Sequence, residues 1–309
     1  MFTQITVFTA TYNREKLLKR LFDSLIKQSD KSFEWIIVDD DSSDDTERLI
    51  TELSEIAPFD IMYLKQSHGG KHRAINKGLD FANGEWFYIV DSDDFLKEDT
   101  ISTIKKWIDG INLDNGKYAA VSGNCQTPDG KLIGEFPNTE YIDSNNLDRM
   151  KNGLNGDKSE VYRTEILRKY KFPEIDGEFF FTERYIWDKI ANDGYLIRWH
   201  NKSICVCEYL EDGLTKQGAN QLKGHVENIK GYSMYVEQSM RLWDRIEAVT
   251  IFREYNKVCK TMGTKISSRG KAINLKTSTY IKWLLLIMPM YYVLRICKRF
   301  YVKRSLENE

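Results

Sequence analysis

The chain contains few cysteines, and none of them has the spacing of a metal-binding motif. Its 309 residues include 5 cysteines, and no two of these form a Cys-x-x-Cys pair. Cys205 and Cys207 have the alternating spacing of a strand rather than that of a zinc knuckle. We therefore expect the cysteines to be small apolar residues of a core in a reducing compartment.

Internal repeats, low-complexity segments and a secretory signal peptide are also absent from this sequence. Residues 1–10 have neither a basic start nor a small-residue cleavage site, so we expect a cytoplasmic protein. A length of 309 residues is sufficient for one large domain with a sizeable core and an appendage.

Net charge is nearly absent, but the charges are unevenly distributed. The formal net charge is -1, yet residues 265–309 contain ten Lys and Arg against two Glu, which is +8 and leaves -9 for the rest. Within residues 276–304, the uncharged run 283–294 is followed at once by basic residues. As a helix this run would extend roughly 18 Å, too short for the ~30 Å hydrocarbon core. We expect an interfacial helix on an anionic membrane surface, with packing on the main domain as the alternative.

Strand and helix patterns alternate over the first hundred residues, which predicts an α/β fold with a doubly wound, mostly parallel sheet. The predicted strands are Ile5–Ala10, Glu34–Val38, Asp60–Leu64 and Trp86–Val90. Beyond residue 218 the pattern indicates helices only. The predicted domains are therefore 1–215, with halves of about 1–100 and 101–215, and a helical C-terminal region 216–309.

Local signals predict where three of the helices begin or end. Asn13 is expected to cap the first helix, and Ser42–Asp45 resembles a capping box for the second. Gly84 is expected at the C-terminal cap of a helix over Lys71–Asn83.

Two acidic clusters follow the second and fourth predicted strands, Asp39–Ser42 and Asp91–Asp94. Ligands bind beyond the carboxyl ends of the strands in such sheets, which is where both clusters fall. Crowded carboxylates repel one another, and a divalent cation with substrate phosphates is the simplest compensation. An EF-hand is excluded, because counting from Asp91 the sixth position is Leu96 rather than Gly.

Four motifs occur in an order that resembles the family 2 glycosyltransferases, which have the GT-A fold: Thr9–Arg14, Val38–Asp44, Ala74–Gly78 and Asp91–Asp94. The resemblance is dense over the first hundred residues and looser to about residue 215. It departs from the family at Asp41, where Gly or Asn is usual. The resemblance implies inverting transfer of a sugar from a nucleoside-diphosphate sugar, most simply a UDP-sugar, with Mn²⁺ or Mg²⁺ as cofactor.

The resemblance also implies residue roles at the donor site. Tyr12 would lie against the nucleotide base, Asp40 would accept hydrogen bonds from it, and Asp39 would support the same loop. Asp91 would face the ribose or a metal-bound water, Asp93 would hold the metal ion, and Asp94 is a second candidate metal ligand. Thr11 and Ser92 would also contact the nucleotide sugar. Helix capping and a solvated acidic loop are the structural alternatives for these acids.

Two further positions complete the predicted site. Gly69 and Gly70 allow the backbone to approach a ligand at a helix N-terminus, and Lys71 adds a cation for the diphosphate. Glu183 matches the place of the family's catalytic base, although Arg184 replaces the usual second acid. Asp176 and Glu178 are alternative bases.

Other functions remain open on the sequence alone. A receiver domain would be far shorter, and a nucleotidyltransferase usually has a Gly-rich loop where residues 8–13 have none. A non-catalytic sugar-nucleotide-binding protein is a further alternative. We expect the acceptor to be a saccharide or lipid-linked saccharide at the inner face of the cytoplasmic membrane, and no nucleic-acid partner.

Overall fold

A computed structural model describes residues 5–111, 116–208, 218–242, 245–287 and 289. The chain divides into two compact units, Met1–Lys216 and Gln217–Glu309, which are described separately below.

The described part of the first unit contains a nine-stranded sheet and six α-helices. The strands are β1 Ile5–Thr11, β2 Phe33–Asp39, β3 Asp60–Lys65, β4 Trp86–Ile89, β5 Phe95–Leu96, β6 Tyr118–Gln126, β7 Tyr141–Ser144, β8 Lys158–Arg163 and β9 Leu196–Val206. The helices are α1 Glu15–Ile26, α2 Thr46–Ile56, α3 Lys71–Phe81, α4 Thr100–Asp109, α5 Thr164–Leu167 and α6 Arg184–Asn192, with a 3-10 turn at Arg168–Tyr170. The four predicted strands are confirmed to within one residue at each end.

The strand order is β3-β2-β1-β4-β8-β6-β9-β5, and β7 pairs with β9. Strands β1 to β4 pair in parallel, whereas β8 runs antiparallel to both β4 and β6, and β6 pairs in parallel with β9. Six of the nine strands therefore run in one direction. The predicted α/β fold with a mostly parallel, doubly wound sheet and a following helical region is confirmed.

Burial explains why the central strands are nearly continuous apolar runs. Every residue of β2 is buried, as are all but one of β1, because helices cover both faces of a parallel sheet. Helix α1 packs on this sheet through the stripe Leu18, Leu21, Phe22 and Leu25, as its periodicity predicted.

The predicted helix cap at Asn13 and the capping box at Ser42–Asp45 are wrong. The N-cap residue of α1 is Arg14, and its side chain makes no capping hydrogen bond. Instead Asp44, from the loop after β2, accepts a hydrogen bond from the Glu15 backbone N–H at 3.2 Å. Asn13 Oδ1 accepts from the Ser43 backbone N–H at 2.7 Å. The two loops exchange these bonds with each other, and such long-range pairing has no local signature.

Gly84 does not cap helix α3, which ends at Phe81 with Ala82 at its C-cap. A Cβ on Gly84 would lie 2.4 Å from the backbone nitrogen of Thr6. The glycine is therefore required because the chain passes close against strand β1.

The second unit is helical over its described residues, as predicted. Its helices are α7 Gly218–Glu227, α8 Ile229–Leu242, α9 Arg245–Thr261, α10 Ile266–Ala272 and α11 Thr277–Lys282, followed by a π-helical turn at Trp283–Ile287. Its core includes Val236, Phe252, Tyr255 and Tyr280.

Half of the predicted interfacial run 283–294 and the whole basic cluster after it lie outside the described residues. At the start of this run, the Trp283 ring centroid is 5.4 Å from that of Phe252 in the same unit. None of the described helices is both long and apolar enough to cross a lipid bilayer.

Candidate active site

The carboxyl ends of parallel strands β1, β2 and β4 bring the predicted motifs to one edge of the sheet. Thr11, the last residue of β1, is the register partner of Asp39, the last residue of β2. The Asp40 backbone N–H donates to the Thr11 carbonyl at 2.9 Å. The Thr11 hydroxyl is buried and has no hydrogen-bond partner among the described residues. It is therefore a polar group still able to bind a ligand.

Asp39 and Asp40 are buried, and both bond to neighbouring loops. Asp39 accepts from the Ser42 backbone N–H at 2.7 Å and from the Tyr63 hydroxyl at 2.5 Å. Asp40 accepts from the backbone N–H groups of Gly69 and Gly70, both at 2.8 Å, and from the Gln66 amide at 2.7 Å. The Asp40 carboxylate thus fixes the loop that leads into helix α3, and the Asp39 carboxylate ties the turn after β2 to strand β3.

Gly70 satisfies a strict backbone requirement at the start of α3. Its φ is 90°, in the left-handed region, and a Cβ there would lie 1.8 Å from the Phe179 carbonyl oxygen. Because Gly70 is the residue before Lys71, this close approach positions the first helical side chain.

Lys71 connects the second acidic cluster with the predicted catalytic base. Its Nζ lies 2.5 Å from Asp91 Oδ1 and 2.7 Å from Glu183 Oε1. Burial alone would lower the pKa of Lys71, but the Asp91 and Glu183 carboxylates outweigh burial and raise it. The ammonium group therefore stays charged between two half-exposed carboxylates that are 92 residues apart in the chain.

Asp93 and Asp94 lie in different surroundings. Burial, and then the nearby Asp91 charge, raise the pKa of Asp93. Asp94 Oδ2 lies 3.3 Å from Cys207 Sγ and 3.9 Å from Cys205 Sγ. Burial, and next the Cys207 thiol, raise the pKa of Asp94 to about 10. Asp94 thus faces the Cys205 and Cys207 thiols of strand β9.

Three rings form an aromatic row beside Asp40, consisting of Tyr12, His68 and Phe179. The His68 ring centroid is 4.6 Å from that of Tyr12 and 5.1 Å from that of Phe179. His68 Nδ1 also lies 2.9 Å from Asp40 Oδ2. Tyr12 is 46% exposed and Phe179 is 48% exposed, so the row presents an open face. The sequence analysis predicted only Tyr12 in this place.

Glu160 is a second residue that the sequence analysis missed. It lies in β8, and its Oε1 is 3.9 Å from Arg149 Nη1. Burial, opposed by the Arg149 charge and aided by the Glu183 charge, raises the pKa of Glu160 to about 7. The sequence pattern is irregular in this part of the chain, so nothing in the sequence distinguishes this carboxyl group in β8 from a surface acid.

Comparison with known families supports the interpretation of these motifs. The family described as glycosyl transferase family 2 matches residues 6–171, more than half of the 309-residue chain. The chain therefore belongs to glycosyl transferase family 2, as its motifs predicted.

Two curated relatives act on undecaprenol-linked saccharides according to their names. GalNAc(5)-diNAcBac-PP-undecaprenol beta-1,3-glucosyltransferase from Campylobacter jejuni is 30% identical over 189 residues, which is 60% of this chain and 58% of that protein. UDP-Glc:alpha-D-GlcNAc-diphosphoundecaprenol beta-1,3-glucosyltransferase WfgD from Escherichia coli is 27% identical over 207 residues, which is 65% of this chain and 75% of that protein. The chain thus matches less than two thirds of the Campylobacter protein.

Solved structures with the same fold include complexes with sugar nucleotides. TarS 1-349 from S. aureus in complex with UDP-GlcNAc has a TM-score of 0.57 at 17% identity, covering 91% of each chain. Mannosyltransferase PcManGT from Pyrobaculum calidifontis in complex with GDP-Man and Mn²⁺ has a TM-score of 0.52 at 19% identity, covering 97% of this chain and 88% of that one. These similarities confirm the predicted GT-A fold.

Proposed function

We propose that the chain is a metal-dependent, inverting glycosyltransferase that moves a sugar from a nucleoside-diphosphate sugar to a hydroxyl acceptor. The observation on which this depends is the Lys71 ammonium, held 2.5 Å from Asp91 and 2.7 Å from Glu183. The Lys71 side chain, which supplies a cation for the diphosphate, therefore contacts both the acid of the donor motif, Asp91, and the carboxylate proposed to act on the acceptor, Glu183.

The aromatic row supports binding of the nucleotide base against Tyr12. Aromatic rings stack on any base, and Tyr12 presents an open ring face beside His68. In this proposal Asp39 and Asp40 position the loops around the site. Asp39 oxygens bond to Ser42 and Tyr63, and Asp40 oxygens bond to Gly69 and Gly70. In this proposal Thr11 and Ser92 contact the donor, and the donor is a UDP-sugar.

The second acidic cluster fits Mn²⁺ or Mg²⁺, which prefer oxygen ligands. Asp93 lies beside Asp91, and the like charges together with burial raise its pKa, so a cation would relieve an unfavourable arrangement. We assign the ion to Asp93, with Asp91 beside it, and not to Asp94, which faces Cys207. When bound, the ion would neutralise charge on the departing nucleoside diphosphate.

Glu183 is the general base in this proposal. It precedes helix α6, and its side chain is 32% exposed, so an acceptor hydroxyl can approach it. Lys71 holds the carboxylate in place through an ion pair, and the donor diphosphate would compete for the same ammonium. Glu183 then takes the proton of the acceptor hydroxyl as that oxygen attacks the anomeric carbon from the face opposite the leaving group, which inverts the configuration.

The acceptor class is proposed from the relatives and from the tail. Both glucosyltransferases above are named for undecaprenol-linked acceptors. A lipid-linked or growing surface saccharide at the inner face of the cytoplasmic membrane would place the basic residues of 276–304 near anionic lipid.

Donor turnover in two variants tests the function. Glu183→Gln should bind UDP-sugar in the presence of Mn²⁺ as the parent does and lose about 10²–10⁴ in transfer rate. Glu165→Gln in helix α5, where the Glu165 side chain is 61% exposed, is the matched control and should keep full activity. Transfer at the parental rate by Glu183→Gln would show that the base is another residue.

A further inference from the structure

Three cysteines from two strands, β6 and β9, meet behind the second acidic cluster. The thiols of Cys125, Cys205 and Cys207 are buried, and their sulfur atoms all lie within 4.8 Å of one another. The fourth described cysteine, Cys259, is in the other unit. The cluster belongs to the main apolar core and has no place in the donor site described above.

Sheet register explains why these side chains converge with Asp94. Strand β9 lies between β6 and β5, and Cys205 is the register partner of Cys125 on one side and of Leu96 on the other. Two residues beyond the Leu96–Cys205 pair, the same antiparallel register places Asp94 opposite Cys207. Cys205 and Cys207 lie two residues apart and share one face of the strand.

The distances match the edges of a metal-binding tetrahedron. A tetrahedral zinc ion with Zn–S bonds of about 2.3 Å has sulfur atoms about 3.8 Å apart, and its sulfur-to-oxygen edges are about 3.6 Å. The Cys205 and Cys207 sulfurs are 4.0 Å apart, and Asp94 Oδ2 lies 3.3 Å and 3.9 Å from them. Cys125, within 4.8 Å of both sulfurs, would need to move by about 1 Å at most.

Charge gives a second reason for a cation. Among the residues that the structure describes, no basic side chain forms an ion pair with Asp94, although this carboxylate faces buried thiols. Without a cation, burial keeps the Asp94 carboxyl group protonated, whereas a bound cation would compensate its ionised form. Thiolates select soft or borderline ions, whereas Mn²⁺ and Mg²⁺ prefer oxygen ligands. The four groups therefore differ in chemistry from the donor-metal site at Asp93.

We propose that Cys125, Cys205, Cys207 and Asp94 form a closed, four-coordinate structural site for Zn²⁺. Each thiol that binds the ion, and the protonated Asp94 carboxyl group, releases its proton to solvent, because metal ligands must be deprotonated. The fully deprotonated set of three thiolates and one carboxylate has the same net charge with Zn²⁺ as the Cys₄ sites of structural zinc. The ion would fix the end of β9 to β6 and to the residues just after Asp93, and so stabilise the loop that holds the donor metal.

Metal analysis of the full chain, purified under reducing conditions without chelator, tests the site. We expect about one tightly bound Zn²⁺ per chain that millimolar Mn²⁺ does not displace. Replacement by Co²⁺ should give thiolate-to-cobalt charge-transfer absorption and the intense visible bands of a tetrahedral ion. A chain that binds no zinc tightly, or a cobalt spectrum without charge transfer, would overturn the proposal. A disulfide among the three cysteines in freshly reduced protein would do so as well.

Variants separate this site from the donor site. Cys207→Ser should weaken zinc binding by at least about 100-fold, since losing an outer-shell partner already costs 10–100-fold. Cys259→Ser is the matched control and should bind zinc normally. Asp94→Asn should weaken zinc binding, whereas Asp93→Asn should leave zinc binding intact and lose Mn²⁺-dependent donor binding. Equal zinc contents in all four variants would contradict the assignment.

A third measurement uses the unmodified chain, in case Cys207→Ser does not fold. Alkylation of the reduced protein with and without Zn²⁺, followed by peptide mass spectrometry, should show protection of Cys125, Cys205 and Cys207. Cys259 should react at the same rate in both. Equal rates at Cys205 and Cys207 with and without zinc would exclude the site.

Discussion

Lys71 Nζ lies 2.7 Å from Glu183 Oε1, so the residue proposed to bind the diphosphate also positions the residue proposed to accept the proton. Lys71 begins helix α3, and its backbone position depends on Gly70 and on Asp40. The first acidic cluster therefore affects the reaction indirectly, through the loop that it holds.

Replacing Lys71 should affect both donor binding and transfer. In Lys71→Met, the diphosphate loses a cation and Glu183 loses its ion pair, so we expect weaker UDP-sugar binding and a lower kcat together. Lys65→Met is the matched control, because Lys65 contacts Glu47 at 3.3 Å on the surface. Donor titration by calorimetry and initial rates measure the two effects. An unchanged donor affinity in Lys71→Met would contradict the proposed role.

Two residues with positive φ, Gly70 after β3 and Asp41 after β2, give opposite predictions. Gly70→Ala should prevent the native loop from forming, because its Cβ would lie 1.8 Å from the Phe179 carbonyl oxygen. Asp41→Gly should be tolerated or stabilising by up to about 1 kcal/mol, since Asp41 has a φ of 75° and an exposed side chain. Thermal unfolding of the two variants checks this. A Gly70→Ala variant as stable as the parent would show that the loop geometry is different.

Removing Tyr12 should weaken binding of the nucleotide. Tyr12→Ala is expected to lose about 1–3 kcal/mol of UDP affinity, while Tyr12→Phe keeps most of it, because the ring face makes the contact. Tyr141→Ala, with a similarly exposed ring at 45%, is the control and should bind UDP normally. Equal UDP affinities for Tyr12→Ala and the parent would place the base elsewhere.

Glu160 should make stability fall as pH rises from about 4.5 to 7. Its pKa is near 7 in the folded chain and 4.5 ordinarily, so in this range the folded state keeps a proton that the unfolded state has lost. The slope is at most about 1.4 kcal/mol per pH unit, and Glu160→Gln should lack it. Urea unfolding at pH 5 and pH 7.5 should therefore show Glu160→Gln gaining stability relative to the parent. A difference that is constant with pH would contradict the assignment.

Much of the first unit was predictable because its signals are local. Continuous apolar runs located the central strands, and the acids after β2 and β4 located the site, since parallel strands end at one edge of the sheet. The four motifs gave the family, and Glu183 lies 2.7 Å from Lys71 in the structure.

The unpredicted features depend on contacts between distant residues. Asp44 caps α1 from another loop, and His68 joins Tyr12 to Phe179 across more than a hundred residues. Cys125 and Asp94 meet Cys207 only because β9 lies between β5 and β6. A one-dimensional pattern shows none of these pairings. The four cysteines that the structure describes are buried as predicted, but the clustering of three of them was not foreseen.

Calorimetric titration of UDP-sugar into the chain, with Mn²⁺ and then with chelator, measures whether a divalent ion takes part in donor binding. We expect Mn²⁺ to strengthen donor binding in the parent and in Asp45→Asn, an exposed control whose Asp45 side chain contacts Arg48. Asp93→Asn should lose this effect. Equal donor affinity with manganese and with chelator in the parent would show that no metal ion completes the donor site.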